Sequence, residues 1–375
     1  MSAVPLVRGW CPGAHRPMMS GDGLVVRVRP FRAELTKAQA LALCDLARRY
    51  GNGVLDLTSR ANLQIRGVTE GDHPALLRAL DDLGLIDTDP AVETVRNILM
   101  PPTWQAGDLT HRLHDALLAT LSRLPDLPSK IGFALDTGTG GLLGEGSADI
   151  RFELDRRGGL ILRADGSPLG RPVTEASAMR ALMELAAWFA TTGGPSQGRM
   201  RRHLAHQPLP GAWANTPPRP AVTPPRPGAL AGGTLLAVPF GKIEAADMTG
   251  LLEHSSASRL RLTLERRLFL PDVQVSDPPG FLTRPSPLLN VDACPGAPYC
   301  PQATVATMEL ARRLAPFATR RLHVSGCAKG CARARPAAWV LVGRAGHFDL
   351  VENGHAWDEP CRIGLSPERI VEEGF

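Results

Sequence analysis

Four of the seven cysteines in this 375-residue chain fall into two spaced pairs. Cys294 and Cys300 bracket five residues in DACPGAPYCPQA, and Cys327 and Cys331 bracket three in HVSGCAKGCARAR. Four thiolates in this pattern offer two chemistries. A structural zinc ion takes four sulfurs in a tetrahedron, with each pair two to four residues apart on a tight knuckle. The second pair meets that spacing, but CPGAPYC is longer than a usual knuckle. A 4Fe–4S cluster takes one sulfur per iron. Pro295, Gly296, Pro298, Gly326 and Gly330 let the backbone bend round such a cubane and aim amide N–H groups at its sulfides. The spacing favours the cluster and leaves zinc open.

The bulk composition narrows the partners. With 43% hydrophobic and 21% charged residues the chain buries a core, and its length suits two or three domains. A net charge of +5 permits an anionic partner without naming one. Aromatics are 5%, with two tyrosines, so stacking platforms are few and nucleic-acid binding is not expected. No apolar run is long enough to span a bilayer, and MSAVPLVRGWCPG lacks the apolar core of a signal peptide. Together with ligand-spaced cysteines, this predicts a reducing, cytoplasmic setting and no membrane partner.

The elements that must position these groups come in two copies. LVVRVRP, residues 24–30, alternates as a strand does. Thr36 caps a helix with Ala40, Leu43, Cys44 and Ala47 on one face, and Gly51 stops it. VLDLTSRANLQIRG supplies two short strands, then Asp72 and Pro74 open the helix PALLRALDDLG. This order is an α+β unit of the ferredoxin-like kind. A second copy follows, with Pro239 and Phe240 of LLAVPF against Pro30 and Phe31. RLRLTLERRLFL then matches VLDLTSRANLQI through Thr263 with Thr58 and Leu268 with Leu63. Between the copies, TEASAMRALMELAAWFA (174–190) is a helix with Leu182, Leu185, Ala186 and Phe189 on one face. The proline-rich 207–233 segment reads as a linker that excludes helix and interior strand.

The cysteine spacing resembles the cluster signature of the sulfite and nitrite reductase superfamily, Cys-x5-Cys followed by Cys-x3-Cys. LTSRANLQIRGV (57–68) is similar to that family's Thr-x-Arg-x-x-x-Gln strand, TVRNILMPP (94–102) to its Arg-Asn segment, and LPSKIGFALD (127–136) to its lysine-bearing strand. The resemblance implies an α+β fold with the duplicated nitrite/sulfite reductase architecture. Two ferredoxin-like half-domains (15–86 and 234–282) and two larger α+β domains would stand in pseudo-twofold arrangement. Residues 87–206 would bind a tetrapyrrole, 207–233 would link the halves, and 283–375 would carry the cluster.

It also implies that Cys294, Cys300, Cys327 and Cys331 are the ligands of a 4Fe–4S cluster. Arg60, Arg96 and Lys130 would lie over a tetrapyrrole, with Asn62, Gln64 and Asn97 nearby, and Lys130 and Arg96 would be catalytic. A macrocycle with many carboxylates needs several fixed cations, which suits this set. Arg29 and Arg66 are left as solvated surface charges, and the basic residues around CAKGC, Lys329 and Arg333, are taken as neighbours of an anionic macrocycle.

One departure divides the superfamily. Its reductases carry Lys-x-Lys where this chain reads Lys130-Ile131-Gly132, so a cation and proton donor are missing from the reaction chamber. The opening RGWCPGAHRPMMSGDGL and the KIGFALD strand instead resemble the precorrin-3B synthase family. That resemblance implies an oxygenase of aerobic cobalamin biosynthesis, with precorrin-3A as the tetrapyrrole substrate. Dioxygen would be the oxygen source, one meso carbon would be hydroxylated, and a neighbouring acetate would close to a γ-lactone. An electron donor and a mononuclear non-haem iron are also implied. A sirohaem-dependent sulfite or nitrite reductase is the alternative, and a non-catalytic iron–sulfur or zinc-stapled domain the second.

No ligands of the second iron are assigned. His347, Asp349 and His355 superficially suit a two-histidine, one-carboxylate site. HFDLVENGHAW is read instead as two strands joined at Asn353-Gly354. Cys11 is read as a buried structural thiol, with a ligand of the second iron or a close substrate contact as the alternatives; Cys44 belongs to a helix core, and Cys361 has no assigned partner. His111 and His114 share a helix face without a convincing partner.

Overall fold

The computed structural model describes residues 11–374. The MSAVPLVRGW opening, and the expectation attached to it, lie outside them. Among the described residues no helix is long and apolar enough to cross a membrane.

Four five-stranded sheets form two matched pairs. In the first half-domain, Met18–Ser20, Gly23–Val28, Leu63–Val68 and Val54–Leu57 lie side by side; in the second, Gly228–Leu230, Gly233–Ala237, Arg267–Pro271 and Arg259–Thr263 repeat that order. Each sheet is completed by a short strand from the other half. Glu34–Thr36 pairs with Arg259–Thr263, while Lys242–Glu244 pairs with Val54–Leu57. The exchange draws both halves into one apolar core, running from Ala14 to Phe281.

Local chemistry explains the helices. Thr36 Oγ1 accepts from Gln39 N at 3.2 Å and Gln39 Oε1 accepts from Thr36 N at 3.0 Å, a reciprocal cap that starts Lys37–Tyr50. Its expected face, Ala40, Leu43, Cys44 and Ala47, is fully buried. Thr174 caps Glu175–Thr191, which buries Leu182, Leu185, Ala186 and Phe189 as its periodicity requires. Pro30-Phe31 and Pro239-Phe240 both open tight turns holding a residue at positive φ, Arg32 in one and Phe240 in the other.

The two larger sheets also repeat each other. Ile98–Leu99, Phe133–Asp136 and Ile150–Leu154 run parallel, followed by antiparallel Leu160–Ala164 and Arg171–Pro172. Val291–Ala293, Leu322–Ser325 and Ala337–Arg344 run parallel in the same way, followed by antiparallel His347–Gly354 and Arg362–Leu365. The chain therefore has the duplicated α+β architecture with pseudo-twofold related halves.

Two local expectations change. The 207–233 segment ends in the strand Gly228–Leu230, which pairs with Gly233–Ala237 as an edge strand. The rest is bound to the surface, with Arg219 donating to the carbonyls of Asp136, Gly138 and Gly140. In the last sheet the hairpin turns at Ala345-Gly346, where both residues take positive φ, rather than at Asn353-Gly354. His347–Gly354 is a single strand, and its Gly354 pairs with Ala337.

Candidate functional site

Cys294 and Cys327 follow adjacent parallel strands, Val291–Ala293 and Leu322–Ser325, so both loops leave the same carboxyl edge. That edge is where open α/β sheets present ligands. Gly326 N donates to Cys294 Sγ at 3.2 Å. The loops meet so closely that a Cβ on Gly326 would stand 2.6 Å from Ala303 Cβ. Gly296 has φ +67°, and a Cβ there would lie 2.5 Å from Thr307 Oγ1. These two positions require glycine.

Cys294, Cys300, Cys327 and Cys331 all line one cavity of about 570 Å³. Burial pushes the Cys294 and Cys327 thiols up and raises Cys331 to about 11. Among the described residues no three His, Cys, Asp or Glu side chains converge to hold a single ion.

The opposite wall of the cavity comes from the first half-domain. Arg66 pairs with Asp22 at 2.7 Å and Asp56 at 3.1 Å and donates to Tyr299 O at 3.1 Å. It thereby ties the strand Leu63–Val68 to the loop between Cys294 and Cys300. Arg27 and Gln64 face each other across strands Gly23–Val28 and Leu63–Val68. With its amide oxygen toward Arg27, Gln64 accepts from Nε at 3.2 Å and Nη2 at 2.9 Å. Arg27 Nη1 is buried without a partner. Desolvation lowers the Arg27 guanidinium to about 10, with Arg29 and Arg60 adding repulsion.

Thr58 builds the turn that presents Arg60, its Oγ1 accepting from Arg60 N at 3.3 Å and Asn62 N at 3.2 Å. Arg60 Nη1 reaches Lys130 O at 3.5 Å, joining the two motifs. Asn97 serves the lysine-bearing segment from behind. Its Nδ2 donates to Ser129 O at 3.2 Å and Ile131 O at 3.1 Å, and its Oδ1 accepts from Arg29 Nε at 3.3 Å. Arg96 is braced too: Nε meets Asp87 at 2.6 Å, Nη1 meets Arg29 O at 2.6 Å, and its guanidinium lies 3.9 Å over the Phe31 ring. Only its Nη2 lacks a partner.

The structure joins Arg60 to the Lys130 backbone, and of the predicted set Gln64 and the four cysteines line the cavity while Arg60 and Lys130 do not. Asn62, Arg96 and Asn97 are buried behind that wall. Arg29 and Arg66, expected as surface charges, are also buried, because carboxylates from other elements meet them. Glu93 pairs with Arg29, and Asp22 and Asp56 pair with Arg66. Lys329 lines the cavity, whereas Arg333 turns to Asp292 at 3.2 Å.

His347, Asp349 and His355 do not converge. His347 faces Ala345 O, Asp349 pairs with Arg344 at 3.3 Å, and His355 stacks on Trp357. His114 Nε2 accepts from Arg32 N at 3.2 Å, and His111 stacks on Trp104. Sequence reasoning missed Arg27. Its signal was the period-two alternation that sets Arg27 and Arg29 on one strand face while Val26 and Val28 enter the core.

Residues 16–83 match the family described as the nitrite/sulfite reductase ferredoxin-like half domain. A precorrin-3B synthase of Sinorhizobium sp is 30% identical, over 93% of this chain and 83% of the relative. A chloroplastic ferredoxin–nitrite reductase of Betula pendula is 25% identical, over 94% and 72%. The Mycobacterium tuberculosis NirA protein superposes with a TM-score of 0.68 at 19% identity, covering 93% of this chain and 79% of that one, a likeness of fold.

Proposed function

The chain belongs to the precorrin-3B synthase family, within the nitrite/sulfite reductase superfamily, and on that premise we propose that it inserts oxygen into a polycarboxylate tetrapyrrole. Its relatives mark it as an enzyme of the oxidoreductase type. The substrate in this reading is precorrin-3A. One oxygen atom of dioxygen enters the macrocycle, and the acetate closes to the γ-lactone of precorrin-3B. The other oxygen leaves as water, with two electrons from a donor and two protons.

Gly132 is the observation that carries the choice over a six-electron sulfite or nitrite reductase. A Cβ there would lie 3.0 Å from Ser147 O and 3.4 Å from Asn97 O, so a second lysine has no room without moving backbone. Arg29 and Arg96 are likewise matched by Glu93 and Asp87, which leaves the chamber less cationic than its arginine count suggests.

The donor set fits a 4Fe–4S cluster. Four cysteines line one cavity, and the Gly326 N–H already donates to one of their sulfurs, as the amides around a cluster do. Cys294, Cys300, Cys327 and Cys331 would hold it, and when bound it would supply electrons singly. The described residues do not gather ligands for the implied mononuclear iron, so no step is routed through one.

Arg60, Gln64, Lys130 and Arg27 would bind and orient the peripheral carboxylates, since guanidinium and ammonium groups pair well with them. Lys130 keeps one ammonium of the family's Lys-x-Lys pair, and Gly132 offers none. Asn62 and Asn97 would act behind them by fixing the Thr58–Asn62 turn and the backbone around Lys130, and Arg96 by bracing the Arg29 backbone. Pigment and iron analysis of protein purified without air tests this reading. It predicts broad cluster absorption with iron and no sirohaem bands. Sirohaem bands would favour the reductase, and zinc with negligible iron the stapled domain.

A further inference from the structure

A second cavity, of about 250 Å³, adjoins the first. Ser59, Phe240, Arg266, Cys331 and Ala332 line both, so the two are continuous around the fourth cysteine of the motif. Ser147 lines the second cavity too, and its carbonyl stands 3.0 Å from where a side chain at position 132 would begin. The cavity therefore reaches from Cys331 to the backbone beside Gly132. It is smaller than the roughly 300–1,000 Å³ that encloses a whole small molecule, and suits a ligand's side chains rather than its ring.

The charges on this wall do not balance: five arginines line the cavity against three carboxylates. Glu265 answers Arg267 at 2.5 Å, and Glu145 answers Arg335. The other three guanidiniums share Asp292. Arg266 Nη1 lies 2.9 Å from its Oδ1, with Arg333 Nη1 at 3.2 Å and Arg321 Nη1 at 3.7 Å from its Oδ2. Among the described residues no other carboxylate forms an ion pair with any of the three. Each also donates to a backbone carbonyl, of Ala332, Pro336 and Leu289 respectively, which holds the fork without neutralising it. The Arg266 and Asp292 side chains are 14% and 12% exposed, so water screens them little. Two positive charges are thus left uncompensated where an anion could meet them.

We propose that Arg266, Arg321 and Arg333, gathered round Asp292, form a subsite for two neighbouring carboxylates, the acetate and propionate of one ring of the tetrapyrrole. The proposal rests on the tetrapyrrole reading of the main cavity. Two carboxylates match the two uncompensated charges, and guanidinium forks bind carboxylates through parallel N–H bonds. Asp292 holds the three forks together before the ligand arrives, so little ordering remains to be done on binding. A free inorganic oxyanion would present the same charge, and the test separates the two.

Cluster-loaded protein is titrated without air with sirohydrochlorin, a metal-free ring carrying such acetate and propionate pairs, and binding is followed by the ring's visible absorption. Arg321 is the most exposed of the three forks. Arg321→Gln is expected to weaken binding about tenfold or more, at an equal thermal midpoint and with cluster absorption intact. Arg333→Gln is expected to weaken it to the same order, while Arg321→Lys, which keeps the charge, stays within about threefold of wild type. Inorganic phosphate is expected to weaken wild-type binding no more than chloride of equal ionic strength. If both glutamine variants bind sirohydrochlorin as wild type does, the subsite is overturned and the tetrapyrrole reading stands. A phosphate effect beyond ionic strength that disappears in Arg321→Gln would overturn it too, in favour of a free oxyanion. If wild-type protein does not bind sirohydrochlorin, both readings fall.

Discussion

The carbonyl oxygen of Ser147 stands 3.0 Å from where a side chain at position 132 would begin, and Gly132 N donates to Asp149 Oδ2 at 3.0 Å. Position 132 is thus closed by backbone on one side and anchored on the other. Gly132→Lys is expected to destabilise the fold by about 1–3 kcal/mol through overpacking. Urea unfolding measures that cost. The variant should also gain no sulfite or nitrite reduction, and a stable variant with such activity would oppose this reading of the position.

The Arg29 and Glu93 side chains are 4% and 3% exposed, so neither can turn to water if its partner is removed. Glu93→Ala is expected to cost about 3–5 kcal/mol, because it strands a buried guanidinium and frees Ala14 N. A loss under about 1 kcal/mol in chemical denaturation would show that the pair is solvated in solution.

Cys294→Ser and Cys327→Ser are each expected to abolish the visible cluster absorption, since each removes one of the four cysteine sulfurs at the cavity. If the absorption survives in either variant, that residue is not a ligand.

His114 links stability to acidity. Burial lowers it from 6.5 to about 4, and its Nε2 must stay unprotonated to accept from Arg32 N. The unfolded chain therefore binds the proton first as pH falls. The contribution is complete above about 6.5, is lost between about 6.5 and 4, and totals about 3 kcal/mol. Unfolding free energies across that window measure it. His114→Gln should flatten the slope, and an unchanged slope would place the acid sensitivity elsewhere.

What could be read from the chain depended on the range of the signal. The helix Lys37–Tyr50 was legible because cap, face and stop all lie within sixteen residues. The four cysteines were legible because their spacing is local. The exchanged strands Glu34–Thr36 and Lys242–Glu244 were not, since three residues carry too little alternation to reveal a partner 200 residues away. The burial of Arg29 and Arg66 escaped for a related reason: Glu93 lies 64 residues from Arg29, and Asp22 lies 44 from Arg66. Asn353-Gly354 carries a strong turn signal, and Asn353 does take positive φ, yet pairing with the long strand Ala337–Arg344 carries the strand on through Gly354.

Isotope transfer from dioxygen reads oxygen insertion into the tetrapyrrole without an intermediate assumption. Cluster-loaded protein is incubated with precorrin-3A, a reductant and heavy-oxygen dioxygen, and the product is weighed by mass spectrometry. The account predicts a product carrying one heavy oxygen atom from the gas, with lactone formation adding none from water. A macrocycle of unchanged mass, or an added oxygen drawn only from water, would contradict it.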